Sequence, residues 1–241
     1  MDEPAPRTAR ERARVELTRA ILERAEQQLA EVGPAALSLR AVARDLGMAS
    51  SAVYRYVDSR DALLTLLLVA GYDDLADALE ASQRPEDDLG RRWHALGHAL
   101  RDWARAQPHR WALLYGSPVP GYAAPETTVG PATRVVAPFL RLLQDRQTAG
   151  VEAGAEAGDE GRGRTPEPAL AQALLPVSSA LADAGHGPVI EAGRTADGLA
   201  AWSALVGAVS LELFGHFNQA VLDYDLWFAH LLGRLETTLG G

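Results

Sequence analysis

The sequence predicts an all-α fold, and three observations carry that prediction. Apolar residues recur every three or four positions through nearly every ordered stretch, the period of a helix with one buried face. No stretch alternates apolar and polar residues with the period of two that a half-buried strand needs. Glycine and proline fall in the gaps between the helical runs, as at Gly33-Pro34 and Pro85. The chain has 241 residues, 47% of them hydrophobic and 23% charged, which is enough to bury a sizeable core.

The first helix runs from about Thr8 to Glu31, with Leu17, Ile21, Ala25, Leu29 and Val32 on one side. Gly33-Pro34 ends it: glycine takes the left-handed cap position and proline cannot continue the ladder. Ser38 caps a second, short helix of sequence LRAVARDL, turning Leu39, Val42, Ala43 and Leu46 inward. Gly47 permits a tight turn, and Ser50 to Tyr56 form a third helix. Asp58-Ser59 opens a fourth through Leu63, Leu67, Ala70 and Leu75.

Pro85 and the three acids behind it suit the start of a fifth helix, whose stripe is Leu89, Trp93, Leu96, Leu100 and Trp103. Pro108 begins another short one that breaks at Gly116. SPVPGYAAPETT reads as an extended loop, and helix resumes from about Pro131 to Gln147. Residues 148–168 hold five glycines, five acids and a single large apolar residue, Val151. They offer too little apolar surface to offset ordering and read as a mobile linker inside the body. Helices at about Ala169 to Asp183, Thr195 to Phe217 and Asp223 to Leu239 close the chain.

Composition narrows the function. There is no cysteine, which excludes disulfides, thiolate catalysis and cysteine-bound metal. MDEPAPRTARERAR lacks the apolar segment of a signal peptide, and the longest apolar run, Leu63 to Gly71, is too short to span a bilayer. A cytoplasmic protein without membrane contact is expected. All 23 basic residues are arginines, and the net charge is −9. Residues 1–60 hold ten arginines against nine acids, whereas the remainder holds thirteen against twenty-three. A nucleic-acid-binding head on an acidic body has this asymmetry.

A short helix, a glycine turn and a second short helix make a helix-turn-helix, whose second helix enters the major groove of duplex DNA. The small residues Ala49, Ser50, Ser51 and Ala52 allow close approach. Tyr54 and Tyr56 can donate to phosphate oxygens, and Arg55 can meet phosphate or a guanine edge. The expected DNA face is Ser38, Arg40, Ser50, Ser51, Tyr54, Arg55, Tyr56 and Arg60, with Arg7, Arg10, Arg12 and Arg14 adding backbone contacts.

Residues 38–64, SLRAVARDLGMASSAVYRYVDSRDALL, resemble the DNA-binding signature of the TetR family of bacterial transcription regulators. The matching positions are Ser38, Val42-Ala43, Leu46-Gly47-Met48, Val53 to Val57 and Ser59 to Leu63. Three positions depart from the pattern: Ala49 replaces the usual capping serine, Val57 the usual phenylalanine, and Arg60 the usual lysine. The stretches around 90–140 and 195–240 resemble the C-terminal domain of the WHG subgroup. This resemblance implies an effector-binding and dimerisation body at 61–241 behind a DNA-binding domain at 1–60. It also implies a homodimer formed through the last two helices, and a repressor released from its operator by a small molecule.

The aromatics Trp93, Trp103, Trp111, Tyr115 and Tyr122 are the candidate lining of the ligand site, since apolar pockets with a few polar groups hold small molecules. His94 and His98 have the i, i+4 spacing of a metal pair, but no convergent third ligand is identifiable, and polar-face histidines are the simpler reading. Asp73-Asp74 and Glu86 to Asp88 sit on solvated faces or at a helix start rather than forming an acid/base pair. No catalytic residue, metal or cofactor is expected. The rival class is an all-helical ligand-binding protein or small enzyme with a helix-turn-helix-like N-terminus. It predicts no salt-dependent DNA affinity.

Overall fold

The computed structural model describes residues 8–152, 168–175, 190 and 192–239. These form helices α1 (Ala9–Val32), α2 (Leu39–Asp45), α3 (Ser50–Val53), α4 (Arg60–Ala81), α5 (Leu89–Ala106), α6 (Pro108–Tyr115) and α7 (Val129–Glu152). α8 (Pro168–Ala173), α9 (Ala192–Leu213) and α10 (Tyr224–Thr238) follow. Among the described residues there is no strand, as the all-α prediction requires. The chain divides into two compact units. The first takes the described part of Met1–Tyr72 together with Gln107–Pro131, and the second takes Asp73–Ala106 and the described part of Ala132–Gly241. α4 is one continuous helix that contributes residues to both.

Local chemistry explains most boundaries. Thr8 accepts from the Glu11 amide while Glu11 accepts from the Thr8 amide, a complete capping box on α1. Gly33 takes φ +74° at its end. Ser38 caps α2 by accepting from Ala41. Three elements differ from the expected bounds. α3 stops at Val53 instead of Tyr56, because Tyr56 and Val57 both donate back to the Val53 carbonyl and the chain turns so that Val57 is buried. α7 extends to Glu152, into the stretch read as linker. α9 stops at Leu213 rather than Phe217, since Gly215 adopts φ +76°. Of the helix expected at 169–183, residues 168–173 are helical and 176–183 lie outside the described residues.

In the first unit α1, α2 and α3 pack around Ile21, Ala25, Leu39, Val42, Val53 and Leu64. In the second unit α5 packs on α9 and α10, which also touch each other. α9 is the only helix among the described residues long and apolar enough, by length and hydropathy, to cross a membrane. Its Glu212 accepts from buried Arg101 of α5 at 2.7 and 2.8 Å. A Cβ placed on Gly97 of α5 would collide with the Leu232 side chain of α10. Gly97→Leu is therefore expected to destabilise the protein by about 1–3 kcal/mol through overpacking. Urea unfolding checks this, and an unchanged midpoint would show that the two helices can separate freely.

Candidate nucleic-acid interface

The head begins with the α2–α3 turn. Gly47, at φ +66°, takes the left-handed region that lets the Met48 amide reach back to the Ala43 carbonyl at 2.8 Å. α3 then starts at Ser50, and Ala49 in the cap position before it offers no side-chain cap. Its Val53 is buried against α1 and α2, and this fixes which face points outward. Ser50, Ser51, Tyr54 and Arg55 are exposed together on and just after that helix, with Arg40 exposed on α2. Tyr56 is half-buried and packs on the core. Ser38 is half-buried too: its hydroxyl caps α2, and its amide donates to Gln28 Oε1 at 2.6 Å.

Salt bridges separate structural arginines from available ones. Arg24 of α1 meets Asp45, at the end of α2, at 2.7 Å and Glu31 at 3.2 Å. Its hydrogen bonds to Glu31 and then Asp45 hold its proton more tightly than usual. Arg60 is also engaged: Nε donates to Leu37 O at 3.0 Å, and Nη2 to Pro34 O at 3.0 Å and Ala35 O at 2.9 Å. The start of α4 is thereby stapled to the segment between α1 and α2. Among the described residues Arg40, Arg55, Arg10, Arg12 and Arg14 make no ion pair; Arg7 lies outside them. Removing the staple in Arg60→Ala leaves three carbonyls short of a donor. An expected loss of about 2 kcal/mol would be read from thermal unfolding, and an unchanged transition would dismiss the staple.

The five aromatics fall in different places. Trp111, Tyr115 and Tyr122 belong to the first unit. There Trp111 and Tyr115 rings lie 4.6 Å apart, and Tyr122 Oη meets Thr65 Oγ1 at 2.9 Å. Burial, and then the neighbouring Tyr72, push the Tyr115 hydroxyl well above the usual tyrosine range. Trp93 and Trp103 belong to the second unit; Trp103 donates to Asp74 at 2.8 Å and Trp93 to the Leu232 carbonyl at 2.9 Å. Of the five only Trp93 lines the narrow apolar cavity of that unit, about 40 Å³ in volume. Val136, Phe139 and Leu143 of α7 and Gly198 and Trp202 of α9 complete most of its wall. The sequence signal for those residues, helical periodicity, is shared with every core residue.

The metal reading of His94 and His98 gains no third ligand: among the described residues no group of three or more potential ligands converges. His94 instead meets Glu236 at 3.1 Å, and His98 packs at 6.0 Å from Phe228.

A three-helix head that exposes Ser50 and Ser51 on its second short helix, Tyr54 and Arg55 just after it and Arg40 on the helix before it is that of a helix-turn-helix DNA-binding regulator. Residues 21–67 match the bacterial regulatory proteins of the tetR family, and residues 93–235 match the tetracyclin repressor-like C-terminal domain. The chain belongs to the TetR family and is a DNA-binding transcriptional regulator. It is 42% identical over 216 residues to the HTH-type transcriptional regulator Rv1816 of Mycobacterium tuberculosis, covering 87% of this chain and 86% of that one. The HTH-type regulator Mb1846 of Mycobacterium bovis shows the same identity and coverage. The crystal structure of the regulatory protein SCO4313 is 34% identical, with a TM-score of 0.67 over 95% of this chain and 98% of that one. Both mycobacterial relatives are HTH-type transcriptional regulators.

Proposed function

We propose that this regulator is a cytoplasmic, homodimeric repressor that leaves its operator when a small molecule binds the second unit. The apolar cavity behind Trp93, Phe139 and Trp202 is the observation that carries the ligand half of the reading. Residues 1–60 act as the DNA-binding domain and 61–241 as the effector-binding and dimerisation domain. Ser50, Ser51, Tyr54 and Arg55 face the major groove. Ser38, Arg40, Tyr56 and Arg60 border them, Ser38 and Arg60 chiefly by holding the frame. Trp93 belongs to the ligand wall and Trp103 to the same unit, while Trp111, Tyr115 and Tyr122 lie in the first unit.

Dimerisation through α9 and α10 is supported by apolar side chains that stand exposed there or just beyond: Leu199, Leu211, Phe214 and Leu226, with Leu222 fully exposed between the helices. A ligand shifts the operator equilibrium only by its differential affinity for the two states. The test is fluorescence anisotropy of a duplex carrying the protein's own upstream DNA, with salt and nonspecific competitor titrated. Binding on the order of 10 nM that resists competitor and falls steeply with salt is expected. Affinity no better than for random duplex, across a random-library selection as well, would sink the operator reading.

A further inference from the structure

α2 departs from the rules of helix building at both ends. Ser38 stands in its cap position, but the hydroxyl takes the Ala41 amide only at 3.4 Å. A capping box would place an acid or amide at position 41 to accept from the Ser38 amide, as Glu11 does for Thr8 at 2.8 Å. Ala41 has no acceptor to offer. At the other end the last residue is Asp45, an acid where the helix dipole favours a cation. With seven residues α2 is also well short of the roughly 12 that an isolated helix needs.

Both defects are made good from α1. Gln28, only 6% exposed, brings Oε1 to the Ser38 amide at 2.6 Å. That amide can only donate, so the oxygen of Gln28 must face it. From ten residues back, Gln28 thus supplies the acceptor that the box lacks. Arg24 meets Asp45 Oδ2 through Nε at 2.8 Å and Nη2 at 2.7 Å, whereas exposed Arg44 comes no nearer to Asp45 than 3.6 Å. Residues 24 and 28 lie one turn apart on one face of α1. Leu39, Val42 and Ala43 bury α2 against the core, but apolar packing has no direction. The polar contacts at its two ends are what fix its register along α1. α3 follows α2 through the Gly47 turn and the hydrogen bond from Met48 to Ala43.

We infer that Gln28 and Arg24 are positioning residues for operator recognition: they fix where α2 lies on α1, and so how α3 presents Ser50, Ser51, Tyr54 and Arg55. This inference rests on the DNA face proposed above and adds the residues behind it that set its geometry. Neither side chain acts by touching DNA. A loosened α2 still offers every exposed arginine to phosphate, so nonspecific binding survives. Specific binding falls, because only the fraction of molecules with α3 correctly presented can take the operator.

Fluorescence anisotropy on the full chain compares the operator duplex, taken from the upstream DNA or a random-library selection, with a random-sequence duplex at several salt concentrations. Gln28→Met keeps the length of the side chain and removes the acceptor. It should bind the operator about tenfold more weakly, a presented fraction of about one-tenth, with random-duplex affinity and salt slope unchanged. Gln28→Glu returns the acceptor and should recover the loss. Asp45→Ala unfastens the other end while leaving Arg24 its bonds to Gln27 at 3.0 Å and Glu31 at 3.2 Å. It should lower the operator-to-random affinity ratio about tenfold, and the ratio cancels the change in charge. Its thermal midpoint should not drop, since α2 loses an acid from its unfavourable end. Should Gln28→Met fail to fold, Asp45→Ala decides alone. A wild-type ratio in either folded variant, equal weakening on both duplexes, or no recovery in Gln28→Glu overturns the positioning role. A wild type with no preference for the operator sinks the operator reading itself, and this inference with it.

Discussion

Replacing Arg101 by methionine is expected to cost the second unit about 3–5 kcal/mol. Arg101 is 4% exposed and reaches from α5 to both closing helices. Nε and Nη2 grip the Glu212 carboxylate at 2.7 and 2.8 Å, Nη1 meets Asp225 at 2.7 Å, and the guanidinium carbon sits 5.1 Å from the Phe228 ring centre. The hydrogen bond to Glu212, the largest cause, holds the Arg101 proton more tightly than usual, and burial opposes it. Methionine keeps the stem's packing but strands Glu212, whose side chain is only 12% exposed. Asp225 is 78% exposed and water replaces what it loses, so the cost comes mainly from Glu212. Denaturant unfolding measures the change. A loss below about 1 kcal/mol would mean that water reaches Glu212 without the arginine, and the double variant Arg101→Met with Glu212→Met should then recover nothing.

The double variant Arg40→Ala/Arg55→Ala should lose about thirtyfold in operator affinity at 0.15 M salt. Each phosphate contact contributes about 0.9 to the slope of log affinity against log salt, so removing two lowers the slope by about 1.8. These two are chosen because they make no ion pair within the described structure, whereas Arg24 and Arg60 are already held by Asp45, Glu31 and backbone carbonyls. Arg24→Ala should accordingly leave the salt slope unchanged. Anisotropy titrations at four or five salt concentrations give both quantities. Should the slope stay constant in the double variant, neither arginine meets phosphate and the face needs redrawing. Loss confined to the cognate duplex would instead place Arg55 on a base edge.

Much of the head was legible because its determinants are local. Ser38, Gly33 and Gly47 act within four residues of where they stand, so these caps and turns could be read one at a time. α3 was overread by three residues because the apolar Val57 fits a helical period as well as it fits a turn that returns to the core. Gly215 was missed as the end of α9 because apolar residues continue past it at Phe217, as a longer helix would also place them. The backbone contacts of Arg60 were not legible, since only the folded chain brings the carbonyls of Pro34, Ala35 and Leu37 to its side chain. The aromatics show the same limit. Five rings close in sequence are shared between two compact units, while the wall of the cavity comes from α7 and α9, far apart along the chain.

The narrowness of that cavity sets a threshold for response. About 40 Å³ is far less than a drug-sized ligand fills, so an effector bound where we propose would need an opened form in which α7 and α9 side chains have moved apart. Observed affinity is then the intrinsic affinity multiplied by the open fraction. Trimming the wall, as in Phe139→Ala, raises that fraction while removing packing from the core. Sensitivity to the effector and thermal stability therefore trade against each other at the same side chains. A regulator of this build can be tuned to the abundance of its signal by packing substitutions alone, with its polar contacts untouched.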